Sequence, residues 1–228
     1  DPNTLTPIAA STNPYVLNTL NPGTVYNGWV RSVCGTNIGA WTGPVTLITS
    51  CLPSNVPYSE NFESSVIPNM PICTTVVNNG SGNIWDIVSD AASFGFNNKA
   101  LRYFYNTVFD ADTWFFTNGV NLTQGQNYTI AFKKGSSSVS AVKINNLKVS
   151  IGSAQSSAAM STNLATYYEY FGAATNENIT FTVPTTGVYY FGFHAYSSYN
   201  MGSIYVDDIV VDSALSMNNY ANENETML

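Results

Sequence analysis

The chain has 228 residues, a net charge of −7 and only 9% charged residues, against about 25% in an average domain. Its seven Lys and Arg form no cluster, which excludes the basic footprint that nucleic acid or an anionic membrane surface requires. No apolar run reaches the roughly 18 residues of a membrane-spanning helix, so solubility rests on Ser, Thr, Asn and Gln. Fifteen Tyr and 16 Gly point to an all-β, turn-rich protein of one or two domains. No signal peptide is evident. The chain opens on Asp1-Pro2-Asn3 without a Met and ends on Glu225-Thr226-Met227-Leu228; the expectation is a mature fragment of a longer protein. Cys34, Cys51 and Cys73 lack metal-type spacing. Two of them are expected in a structural disulfide, which implies an oxidising, extracytoplasmic setting.

Residues 1 to 14 read as loop, and Tyr15-Val16-Leu17-Asn18-Thr19-Leu20 as a candidate strand. A Pro-Gly turn then leads to Tyr26, two residues after Thr24, in the pattern of a tyrosine corner. With Val30-Arg31 and the closing Trp41-Thr42-Gly43-Pro44-Val45-Thr46-Leu47-Ile48-Thr49, this run of about 35 residues resembles the last strands of a fibronectin type III domain. The earlier strands of such a domain are missing. Residues 1–50 are therefore expected to be a partial domain that begins in its middle, or an unusual variant.

Cys34 sits where the outgoing strand enters its turn, and Cys51 lies past the far end of the return strand. About seven residues at about 3.3 Å each separate them by over 20 Å, whereas a disulfide needs Cα atoms within about 7 Å. Cys51 with Cys73 is the expected pair, leaving Cys34 free or joined to a missing part of its domain.

Residues 51–57 are Pro-containing and expected as a stiff linker. Strands are expected over 58–63, 73–77, 84–88, 100–106, 113–117, 127–133, 147–151, 166–171, 178–183, 187–196 and 203–211, with a short helix from Ser153 to Asn163. That number of strands in residues 58–214 predicts a two-sheet antiparallel jelly-roll β-sandwich. Residues 215–228 are expected as a flexible tail.

The last strand, Ser203-Ile204-Tyr205-Val206-Asp207-Asp208-Ile209-Val210-Val211, carries two adjacent carboxylates. Strict alternation would place one on the core face, where an unpaired charge is too costly. A bulge, a hydrogen-bonding partner or a bound cation would each resolve this. A second acidic strand, Tyr58-Ser59-Glu60-Asn61-Phe62-Glu63, is expected beside it, joined through calcium.

Several motifs of residues 58–213 resemble the jelly-roll domains of the MAM and cleaved-adhesin type. They are Glu60-Asn61-Phe62-Glu63 with Pro71 and Cys73, Gly82-Asn83-Ile84-Trp85, Asp112-Thr113-Trp114-Phe115-Phe116-Thr117 leading to Gly125-Gln126-Asn127-Tyr128, Phe191-Gly192-Phe193-His194 and Val206-Asp207-Asp208-Ile209. Behind a fibronectin type III end, such a domain resembles parts of Bacteroidetes surface proteins exported by type 9 secretion. The resemblance implies a structural calcium held by Glu63, by Asp207 or Asp208, and by Asn61. In similar adhesins the loop before the Trp is often rich in Asp; here it is Asn78-Asn79-Gly80-Ser81-Gly82-Asn83, without a carboxylate.

Catalysis finds little support in the sequence. His194, the only histidine, lies in an aromatic strand and is expected to be packed and hydrogen-bonded. No nucleophile elbow is present, one His and three scattered Cys do not make a zinc site, and nothing in the spacing of Asp86, Asp90, Asp110 and Asp112 pairs two carboxylates as a glycosidase needs.

Trp85, Trp114, Phe115, Phe132, Phe191 and Phe193 are expected in the core. Exposed rings stack on sugar faces, and two turn-rich loops are candidates: Phe94 and Phe96 in one, Tyr196, Tyr199 and Asn200 in the other. Asp212-Ser213-Ala214 matches the pattern that resembles the O-glycosylation acceptor of Bacteroidetes surface proteins, with Ser213 as acceptor. The expected function is a non-catalytic extracellular adhesin or carbohydrate-binding module of a larger secreted or cell-surface protein. Its partners would be glycans or surface proteins, with the secretion machinery engaged through a missing C-terminal domain. The alternatives are an architectural spacer or secretion cargo, and an accessory domain of a secreted hydrolase.

Overall fold

The computed structural model describes residues 1–214; the expected tail lies outside the described residues. The chain divides into two units, Asp1–Leu52 and Pro53 onward.

In the first unit, β1 (Val25–Val30) pairs antiparallel with β4 (Thr42–Ile48), and a smaller ladder, β2 (Val33–Cys34) with β3 (Asn37–Ile38), sits in the connection. The Tyr26 hydroxyl accepts from the Asn21 N–H at 2.8 Å, the bond of a tyrosine corner. Arg31 stacks over Trp41, 4.3 Å from the ring centroid, and the Trp41 indole N–H donates to Asn3. The candidate strand over 15–20 does not form: within the unit it pairs with no strand, and a lone strand leaves its backbone groups unmatched. No residue of the unit is buried, as expected of a hairpin without a second sheet.

The second unit is a sandwich of two antiparallel sheets. One contains β6 (Thr75–Asn78), β9 (Thr113–Phe116), β10 (Val120–Leu122), β12 (Asn145–Gly152), β13 (Thr162–Tyr170) and β15 (Gly187–Ala195). Its order is β13-β12-β15-β9-β6, with β10 continuing the edge of β15 that β9 begins. The other contains β5 (Tyr58–Glu60), β7 (Trp85–Val88), β8 (Ala100–Tyr103), β11 (Tyr128–Ser136), β14 (Thr175–Phe181) and β16 (Ile204–Ser213). Its order is β14-β11-β16-β8-β7, with β5 also on β16. The core between the sheets holds Phe62, Trp85, Leu101, Phe115, Ile130, Val149, Phe193, Val206 and Ile209. The chain is all-β, and its second unit folds as a jelly roll.

Three local expectations change. The strand β10 is too short, at three residues, to show a period. Only Ser157–Ala159 of the expected helix forms a turn, of 3-10 type. That segment instead packs on the sheet: the Gln155 amide donates to the Cys73 and Thr117 carbonyls, before β6 and just after β9, at 2.8 Å each, and a Cβ at Gly192 in β15 would meet the Met160 Sδ at 2.9 Å. These contacts override an Ala-rich propensity that no amphipathic period supports. The second half of the expected linker is part of the sandwich. Ser54 bridges to Val120, exchanging hydrogen bonds with Gly119 and Asn121, and Val56 packs on the core.

Candidate functional site

The two acidic strands are neighbours. β5 lies on β16 with Glu60 opposite Ile209 and Tyr58 opposite Val211, while β8 covers Ile204 to Val206. Asp207 and Asp208 therefore fall where one neighbouring strand ends and the other begins. On the opposite edge the ladder with β11 slips at the same place, from Ala131↔Val210 to Lys133↔Asp207. Asp208 is the inserted residue, in the left-handed region with φ 49°, and the bulge lets Ile209 and Val211 face the core after Val206.

Each expected calcium ligand has a definite environment. The Glu63 carboxylate accepts from the Lys99 N–H at 2.8 Å and the Asn98 amide at 3.4 Å. Asn61 accepts from the Glu63 N–H. Asp208 accepts from Asn97 and pairs with Lys133 at 2.7 Å. Asp207 is fully buried; its Oδ1 accepts from the Asp208 N–H at 2.7 Å, while its Oδ2 has no partner. Burial pushes its carboxyl up to about 7, against the lowering by the Asp208 N–H and by the Asn97 backbone N–H. The segment 97–99 thus joins both acidic groups on one flank. Among the described residues no cluster of three or more His, Cys, Asp or Glu is disposed to hold a metal. The Lys99 ammonium already bonds the Glu63 and Ser65 carbonyls at 2.8 Å each, so the fit to a further cation rests on the Asp207 Oδ2 alone.

Cys51 and Cys73 are each disulfide-bonded, and Cys34 is free and exposed. Ser213 ends β16 and is exposed.

The aromatic candidates separate. Phe96 is buried, and with Phe94 it packs on Tyr205, Val88 and Ala100 in a satellite core. The strand β16 carries Tyr205 to the face that this loop covers, so Phe94 and Phe96 are structural rather than a binding loop. Tyr196 is half-buried between His194 and Tyr168. His194 is stacked face to face on Trp114, with centroids 4.2 Å apart, and its Nε2 lies 2.8 Å from the Asp112 carboxylate. Burial lowers its pKa, and Asp112 opposes that.

Tyr199 and Asn200 belong to a built surface at one end of the sandwich, formed by residues 78–83, 104–112 and 196–200. The Asn200 N–H donates to Asn106, Ala111 to Ser197, and Asn79 to Asp112. The Asn83 amide bonds the Phe104 and Tyr105 carbonyls, and Asn106 bonds Asn83. Gly80 and Gly82 allow the close approach of the first loop. A Cβ at Gly82 would come within 2.5 Å of the Asp110 carbonyl oxygen. The result is an open depression of about 420 Å³, lined by Gly80, Ser81, Val108, Phe109, Asp110, Asp112 and Tyr199. Phe109 is 50% and Tyr199 54% exposed, and the Tyr199 N–H donates to Asp110. Sequence reasoning missed Val108, Phe109 and the presence of Asp110 and Asp112 on one lining. The available signal was an apolar pair, Val108-Phe109, inside a loop that no strand period needed.

No protein-family model and no curated protein matches the chain. Solved structures do. The K1 cleaved adhesin domain of Lys-gingipain from Porphyromonas gingivalis W83 superposes with a TM-score of 0.57 at 14% identity, covering 70% of this chain and 99% of that domain. The sandwich shares its jelly-roll fold with that adhesin domain. The K2 domain of Lys-gingipain gives a TM-score of 0.52 at 16% identity, over 70% of this chain and 99% of that one. The K3 domain from strain W83 gives 0.51 at 16%, over 69% and 98%. At these identities the likeness concerns the fold.

Proposed function

We propose that this chain is a non-catalytic adhesin or carbohydrate-binding module of a larger secreted or cell-surface protein. The observation that carries it is the loop-end depression. Phe109 and Tyr199 are both about half exposed beside two carboxylates, and the asparagine bonds that tie the loops together lower the ordering entropy of binding. Aromatic faces stack on the apolar faces of sugars, while carboxylates accept from hydroxyls. Glycan-array binding that falls for Tyr199→Ala and Phe109→Ala is the expected result; an unaffected array would remove this assignment.

Calcium belongs to the same reading as a structural ion. Asp207, through its free Oδ2, and Glu63 are the side chains that would hold it, with carbonyl oxygens completing the six to eight ligands calcium takes. The parent protein in this reading is a Bacteroidetes surface or secreted protein exported by type 9 secretion.

A further inference from the structure

The charges around the loop-end depression say which saccharides it takes. Its lining holds Asp110 and Asp112 and no Lys or Arg. The guanidinium next to it, Arg102, is already engaged by Asp86 at 2.7 and 3.1 Å in the adjoining depression with Phe104. The cation beside Asp112 would be His194, whose charged form burial disfavours. Lys148 lies over Tyr196 and Lys143 over Tyr105, neither of them on the lining. Asp110 Oδ1 and Asp112 Oδ1 are held by the Tyr199 N–H and by His194, so both carboxylates are anchored on the lining. An ionised carboxylate only accepts hydrogen bonds. It is met by sugar hydroxyls and repelled by a uronate or sulfate, which brings like charge and no donor at that position.

We propose that the depression selects uncharged saccharides and rejects uronic and sulfated ones. This rests on the carbohydrate-binding reading above. Phe109 and Tyr199 supply the stacking surface; Asp110 and Asp112 set the charge filter.

The test is binding of the whole chain, at pH 7.5 and about 0.1 M salt, to two sets of probes. The neutral set is β-glucan, xylan, mannan, galactan and fully methyl-esterified polygalacturonate. The anionic set is polygalacturonate, alginate and heparin. A neutral glycan is expected to bind, with anionic polymers at least about tenfold weaker. Asp110→Asn keeps the acceptor for Tyr199 and is expected to narrow that gap. Tyr199→Ala is expected to abolish binding, while Tyr168→Ala, on an exposed ring outside the depression, leaves it unchanged. Thermal melts identify any variant that fails to fold, and Tyr199→Leu then replaces Tyr199→Ala. Anionic polymers binding as well as neutral ones would overturn the filter while carbohydrate binding stands. Neutral binding that Tyr199 variants do not weaken would overturn this location alone. No binding to any saccharide would overturn both the filter and the function it rests on.

Discussion

Asp207 and Asp208 are consecutive residues in opposite environments: the first is fully buried with one oxygen unpartnered, the second faces outward and pairs with Lys133 at 2.7 Å. Asp208 is the inserted residue of the bulge, and its left-handed backbone turns the two side chains apart. It sits where β16 exchanges one neighbouring strand for the other, so the backbone has room to turn. Two of the three possible resolutions of a double carboxylate, the bulge and the hydrogen-bonding partner, occur together here. The third, a cation, is what the free Asp207 Oδ2 invites.

The first prediction follows from the raised Asp207 carboxyl. Its folded pKa, about 7, lies above the ordinary 3.8. The stability it contributes is therefore fully present below about pH 4 and is lost as pH rises through about 7. At 1.36 kcal/mol per unit, the loss is of order a few kcal/mol. Melting temperatures measured in EDTA from pH 4 to 8 are expected to fall along that range. Saturating calcium should flatten the fall, because a ligand of the native state raises its stability. Asp207→Asn should flatten it without calcium. An identical slope in EDTA, in calcium and in the variant would sink the account.

The left-handed Asp208 gives the second. Glycine takes φ 49° without penalty, while the half-exposed pair with Lys133 is worth at most about 1 kcal/mol. Asp208→Gly should therefore change stability by less than about 1 kcal/mol. Asp208→Val, which disfavours this conformation and removes the pair, should cost about 2 kcal/mol or more. Urea titrations of the two variants compare them directly.

A third prediction concerns the acid limb. The folded pKa of His194 is lowered by burial, so its contribution is present above the unfolded value near 6.5 and is lost as pH falls through the folded one. Measured in the Asp207→Asn background, stability should decline below about pH 6.5. His194→Gln should remove most of that decline. If the decline persists undiminished, another group is responsible.

Tyr128 provides the fourth. Its hydroxyl accepts from the Thr123 N–H at 2.8 Å, five residues back, the same spacing as Tyr26 to Asn21. Tyr128→Phe leaves that N–H without its acceptor and should cost about 0.5 to 1.5 kcal/mol, read as a shift in the urea midpoint at constant m-value. A change below about 0.2 kcal/mol would mean that water replaces the bond.

The sandwich was legible because its strands carry period-2 patterns and their turns carry Gly, Asn and Pro, as in Gln124-Gly125-Gln126-Asn127 before Tyr128. Tyr26, a Thr-x-Tyr behind a Pro-Gly turn, announced its corner. The neighbouring acidic strands were legible too, through Glu60-Asn61-Phe62-Glu63 and the Asp pair. Phe94 and Phe96 misled because a ring in a Gly-rich loop reads the same whether it faces solvent or Tyr205. The segment 153–163 misled because Ala-rich composition reports local propensity and says nothing of the contacts Gln155 makes far along the chain.

The sequence by itself determined that this is an all-β chain, that the Asp207-Asp208 pair in its last strand needs a bulge, a partner or a cation, and that it lacks the charge pattern of a nucleic-acid binder. Each of these depends on local chemistry, read one neighbour at a time. The tertiary structure alone decided that Phe109, Asp110, Asp112 and Tyr199 share one depression, and that Asn97, Asn98 and Lys99 link Glu63 to Asp208. Residues up to 111 positions apart meet there. Only closure of both sheets fixes which loops end up side by side.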